Sequence, residues 1–194
     1  MARVEQFSTK SCTGREVKYN LRTEGDIYNY TNYVMKGKGK ESPIYSSSNG
    51  FVSSKDNPKE ISEEVQNIQK LYKKESGLRI RGEKVVIDKN ELASEEKNTD
   101  LIKTIADTYS GYYVGLGYQN AYGVYDMDDC YEIRYAINST SFADGRKYKH
   151  NDNDIREQEE SCVNTIIADT LGIDIPEEQR FDFDVLEFSH FILN

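Results

Sequence analysis

The chain has no tryptophan, three prolines, three cysteines and two histidines in 194 residues, and each scarcity closes off a class of protein. Cys12, Cys130 and Cys162 are odd in number and widely separated, which argues against a disulfide framework or a zinc knuckle. With His150 and His190 alone, one copy cannot build a three-histidine metal site. No apolar run approaches the roughly 18 residues that span a bilayer, and residues 1–11 lack the apolar core of a signal peptide. The expectation is a cytoplasmic protein with no membrane partner. Positive charge is short as well: 25 Lys and Arg against 34 Asp and Glu leave a net charge of -9. That opposes a large nonspecific nucleic-acid footprint, because Lys and Arg neutralise phosphates, but it leaves room for local basic patches.

What is present is enough for a core. Hydrophobic residues make up 37% and aromatics 11%, with 15 tyrosines, so the chain reads as folded despite a mean hydropathy of -0.77. Its length suits one domain over residues 1–194. Residues 2–7 alternate weakly, as a first strand. Asp26 reads as a helix cap, with Ile27, Tyr30 and Val34 at helical spacing after it. The basic run Lys36-Gly37-Lys38-Gly39-Lys40 and a Ser-rich loop to Asn49-Gly50 follow, then a short strand over 51–54. Ile61, Val65, Ile68 and Leu71 mark one helix face ending near Ser76-Gly77, residues 79–87 a strand, and Leu101, Ile102, Ile105 and Tyr109 a helix closed by Ser110-Gly111. A last helix runs over 153–170, with Ile155, Cys162, Ile166 and Ile167 inward and Gly172 as its stop. Residues 176–194 are acidic and then aromatic; 181–185 alternate as an edge strand, and the segment is expected to pack on its own domain or on a partner.

The most informative stretch is 118–150. Two strand-like runs, 118–125 and 131–138, flank the acidic connector Asp126-Met127-Asp128-Asp129-Cys130. In the second run Tyr131, Ile133, Tyr135 and Ile137 alternate with Glu132, Arg134, Ala136 and Asn138, so Glu132 and Arg134 share one strand face. Asp144-Gly145 marks a tight turn.

This stretch resembles the third motif of the relaxase/mobilization nuclease family, the DNA-nicking enzymes of conjugative plasmids and integrative elements. There a strand ends in a histidine, an acidic turn follows, and the next strand carries a His-x-His pair before an Asn-Ser-Val-x-Phe segment and an Asp-Gly-Lys-Lys-Tyr tail. Ala136 to Phe142 and Ala143 to Tyr148 match that tail without a gap. The same register sets Tyr125 at the first histidine and Glu132 and Arg134 at the pair, so the metal-ligand positions are degenerate. Gly82 or Glu83 stands where an earlier strand of the family carries a further histidine.

The resemblance implies an α+β fold: a mostly antiparallel sheet of about five strands with helices on one face. It also implies a relaxase-like protein of a mobile genetic element that has lost nicking and binds DNA, single-stranded or at an origin of transfer, or assists a relaxosome. By position, Tyr33, or else Tyr30 or Tyr28, corresponds to the family's DNA-attacking tyrosine, and amphipathic packing is the alternative for all three. Arg134 stands in for the cation, paired with Glu132 or contacting a DNA phosphate; a surface ion pair with Glu132 is the other reading. Lys36, Lys38 and Lys40 either contact phosphate or form a solvated loop. No cofactor is expected. Two further readings remain: an active nickase using Mg²⁺ or Mn²⁺ on a carboxylate cluster of Asp126, Asp128, Asp129 and Glu132, and an acidic protein-interaction module that keeps the fold.

Overall fold

A computed structural model describes residues 3–7, 21–52, 56–92, 98–148 and 153–183. Five strands, β1 (Arg3–Phe7), β2 (Tyr45–Asn49), β3 (Ile80–Asp88), β4 (Asn120–Asp126) and β5 (Cys130–Asn138), form one sheet in the order β1-β3-β5-β4-β2. Every pairing is antiparallel. The helices are α1 (Glu24–Lys36), α2 (Pro58–Leu71), α3 (Thr99–Gly115) and α4 (Asn153–Leu171). The α+β class and its antiparallel sheet are as expected.

The helices cover both faces of the sheet, not one. On the first face Ile102, Ile105 and Tyr109 of α3 and Cys162 and Ile166 of α4 pack on Val85, Val124, Ile133, Tyr135 and Ile137. On the second, Ile27, Tyr30, Val34 and Met35 of α1 and Ile61 and Val65 of α2 pack on Ile80, Ala121 and Ala136. The residues that admit this second layer are small. Ala121 and Ala136 face each other across β4 and β5, and Gly123 faces Arg134, so the helices approach a sheet face whose charges are paired internally instead of being left to water.

Several elements differ from the sequence reading. The cap of α1 is Thr23, whose Oγ1 accepts from Asp26 N at 3.2 Å while Asp26 Oδ2 accepts from Thr23 N at 2.9 Å; Asp26 is the third-position partner of a capping box. The Ser-rich stretch is not a loop but the edge strand β2, held by its register on β4. Phe51 and Val52 are not in a strand, and Ser53 and Ser54 lie outside the described residues. Leu71 is 70% exposed, while Gln69 is buried in its place. Helix α3 runs past Ser110-Gly111 to Gly115, because Tyr112 and Tyr113 are buried and their packing outweighs the roughly 1 kcal/mol cost of a helical glycine. Residues 181–183 form no strand; Phe181 instead sets its ring 5.7 Å from that of Tyr112, on the chain's own core. Cys12, His150, His190 and residues 184–194 lie outside the described residues, as does the Ile155 side chain. Among the described residues no helix is long and apolar enough to cross a membrane.

Candidate functional site

Alternation along β5 sends Glu132 and Arg134 toward the α1/α2 layer. Antiparallel pairing then sets Tyr125 of β4 opposite Glu132 and Gly123 opposite Arg134. On the other side Lys84 of β3 lies opposite Arg134. A Cβ on Gly123 would fall 2.1 Å from the Val34 carbonyl oxygen, so glycine is required for the last turn of α1 to descend onto the sheet here. Tyr125 Oη fastens that turn, donating to the carbonyls of Tyr33 and Val34 at 2.8 and 2.9 Å. A helix leaves its last four carbonyls without internal donors, and the tyrosine supplies one.

Arg134 is the centre of the arrangement and is 1% exposed. Its Nε and Nη2 donate to Glu132 Oε2 at 3.0 and 2.7 Å, and its Nη1 donates to Glu41 Oε2 at 3.1 Å. Lys84 Nζ donates to Glu132 Oε1 at 3.0 Å. The guanidinium carbon stands 3.9 Å from the Tyr125 ring centre and 5.0 Å from that of Tyr33, so the cation is flanked by two aromatic rings. Burial pushes the Glu132 carboxyl up, but the Arg134 hydrogen bonds and the Lys84 charge more than reverse this and hold it below its ordinary value. Burial opposes the Arg134 charge, yet Tyr33 and Glu132 leave it above the usual arginine range. Burial raises the Tyr125 hydroxyl despite the Arg134 charge, so it remains a neutral donor.

Tyr125, Glu132 and Arg134 therefore converge, and Tyr33 joins them from α1. Tyr30 does not: it is buried in the α1/α2 core, its ring 5.9 Å from that of Tyr33. Tyr28 is 43% exposed and belongs to neither group. Lys36, Lys38 and Lys40 are all exposed on the turn that leads from α1 to Glu41. Two expectations are corrected. The Glu132–Arg134 pair is not on the surface, and Arg134 is not open to a DNA phosphate, since each of its three nitrogens already donates to a carboxylate. The acidic connector does not join Glu132 in a carboxylate cluster. Asp126 pairs with Lys89, and among the described residues no group of three or more His, Cys, Asp or Glu is placed to hold a metal. Tyrosine, arginine and an already saturated glutamate do not fit a divalent cation.

Sequence reasoning missed Lys84 and Glu41. Lys84 is findable once β3 and β5 are in register, by counting alternate positions; Glu41 comes from a loop with no periodic signal. A second buried polar group was missed on the opposite face. Glu83 accepts from Tyr109 Oη at 2.8 Å, from Tyr113 Oη at 2.7 Å and from Arg81 Nη2 at 2.9 Å, and Arg81 also reaches Glu159 Oε2 at 2.6 Å. Of the two residues aligned with the family's further histidine, Glu83 thus faces α3 and α4, away from Arg134. No protein-family model matches the chain, and no curated protein sequence matches it.

Proposed function

We propose that this protein is a relaxase-like, non-nicking DNA-binding component of a mobile genetic element, acting alone or within a relaxosome. The observation that carries the reading is Arg134: a permanent cation, fixed between two tyrosine rings and two carboxylates, stands on the strand face where the resembling family holds its metal. A cation so placed preserves the charge and the packing of such a centre but cannot exchange ligands with a scissile phosphate or polarise it as a metal does. DNA is then held from outside, by Lys36, Lys38 and Lys40 on the turn beside the site. Gly37 and Gly39, both at positive φ, shape the turn that presents these lysines.

The test has two parts. Supercoiled plasmid carrying a transfer origin, incubated with the protein and Mg²⁺ or Mn²⁺, should remain supercoiled. Binding of a single-stranded oligonucleotide should weaken with salt, and changing the three lysines to Gln should reduce the log–log salt slope by about 2, at roughly 0.7 per lost phosphate contact. Nicking would establish the active-nickase reading instead. Absence of salt-dependent binding would leave the acidic protein-interaction module.

A further inference from the structure

Residues 36–41 read Lys-Gly-Lys-Gly-Lys-Glu. Such a run has no apolar residue to dock and two glycines to loosen it, so by itself it would sample many conformations. It is nevertheless held at both ends. Gly37 N donates to the Tyr33 carbonyl at 2.9 Å, and Ile44 N donates to the Val124 carbonyl at 2.8 Å, where the chain joins β4. Between these points it folds back on itself. Glu41 N donates to the Lys38 carbonyl at 3.3 Å, and a Cβ on Gly37 would fall 2.1 Å from the Glu41 carbonyl oxygen. Gly37 and Gly39, at φ of 78° and 69°, take the left-handed backbone that this fold-back requires.

The lysine side chains do not hold the turn, since all three are exposed. The side chain that does is Glu41, whose Oε2 accepts from Arg134 Nη1 at 3.1 Å. Its anchor is fixed: Arg134 is buried, donates twice to Glu132 and lies against the Tyr125 ring. A turn of largely exposed residues is thereby tied to one point on the central strand β5.

We propose that Glu41 is a positioning residue: its bond to Arg134 sets the conformation in which the turn presents Lys36, Lys38 and Lys40 to a nucleic-acid phosphate chain. The three lysine backbones lie within about 14 Å, four residues at no more than about 3.5 Å each, so their ammonium groups act on one stretch of strand. A turn ordered in advance does not pay its conformational entropy when it binds. This role rests on the DNA binding proposed above. It gives a reason for an acidic residue beside three lysines, where its charge alone would weaken binding to phosphates.

The experiment measures the affinity of a single-stranded thymidine oligomer, and the backbone amide order parameters of Gly39, Lys40 and Glu41, in the full chain and in two variants. Glu41→Gln and Glu41→Ala remove the same charge, but the glutamine keeps an oxygen that accepts from Arg134 and the alanine keeps none. The Glu41 side chain is 39% exposed, so neither change threatens the fold. Charge alone would tighten binding in both. The expected result is a split. Glu41→Gln binds at least as tightly as the natural protein with the turn still rigid, at order parameters of about 0.85, whereas Glu41→Ala binds about fivefold more weakly with the turn below about 0.6. Tighter binding in both variants, or a turn as rigid in Glu41→Ala as in the natural protein, would overturn the assignment. If the natural protein binds no oligomer, the function proposed above fails, and the order parameters still decide on Glu41: loss of order in Glu41→Ala alone supports its hold on the turn, and equal order overturns it.

Discussion

Arg134 and Glu132 share a single oxygen: Nε and Nη2 of the arginine both donate to Glu132 Oε2, at 3.0 and 2.7 Å, while the other carboxylate oxygen is taken by Lys84. Removing one partner from a buried ion pair leaves the other charge uncompensated, which costs about 3–5 kcal/mol, whereas a surface pair is worth less than about 1 kcal/mol. Arg134→Ala leaves Glu132 with Lys84 as its partner, but it removes two hydrogen bonds to that carboxylate and empties the space beside the Tyr125 and Tyr33 rings; it is expected to lower the unfolding free energy in urea by about 2–5 kcal/mol, the scale of a large buried side chain cut back to alanine. Glu41, whose side chain is 39% exposed, gives the contrast within the same cluster: Glu41→Ala should cost less than about 1 kcal/mol. Equal small losses for both variants would show that Arg134 is not held as described.

The opposite face of the sheet links stability to pH through Glu83. Burial and the nearby Glu159 push its carboxyl up to about 7, against the pull of Arg81 and of the Tyr113 and Tyr109 hydroxyls. A carboxyl whose folded value lies above its ordinary 4.5 is protonated more readily in the native state than in the unfolded chain. Its contribution is then full below about 4.5 and is lost as pH rises through about 7. The stability of the natural protein relative to Glu83→Gln should accordingly fall across that window, by on the order of 3 kcal/mol. Parallel unfolding curves for the two proteins at pH 4.5, 6 and 7.5 measure it; a constant or widening advantage for Glu83 would contradict the burial argument.

Strand alternation was the strongest signal in the sequence. It set Glu132 and Arg134 on one face, and the short acidic connector implied an antiparallel neighbour that brings Tyr125 beside them, as the structure has it. Alternation could not say what covers that face. A row of charged residues reads as solvent-facing, and the clue to the contrary lay in the small residues Ala121, Gly123 and Ala136, whose meaning depends on which helix packs over them. Glu41 was invisible for a related reason. It follows Gly37, where a Cβ would fall 2.1 Å from the Glu41 carbonyl oxygen, so its place is fixed by a glycine turn and by a contact 93 residues away in sequence. The β2 segment, Tyr45 followed by three serines and Asn49, has little intrinsic strand preference and becomes a strand through pairing with β4.

The register that aligns Tyr125, Glu132 and Arg134 with a three-histidine centre can be tested by building one. Tyr125 and Glu132 are cross-strand partners, and Arg134 follows Glu132 on the same face, so three imidazoles at these positions project into one space. The variant Tyr125→His/Glu132→His/Arg134→His removes Arg134 and its principal acceptor together, which avoids stranding the arginine, although Lys84 loses the Glu132 contact. Three convergent imidazoles suffice to hold a divalent ion with a fourth position left to water. The variant is expected to bind one Zn²⁺ per chain by calorimetry. Excess metal should also raise its unfolding free energy, by about 2.7 kcal/mol at one hundred times the dissociation constant, while leaving that of the natural protein unchanged. A triple variant that keeps its circular dichroism spectrum yet takes up no metal would show that these positions do not have the geometry of a metal centre, and would remove the basis for assigning any residue here by resemblance to the relaxases.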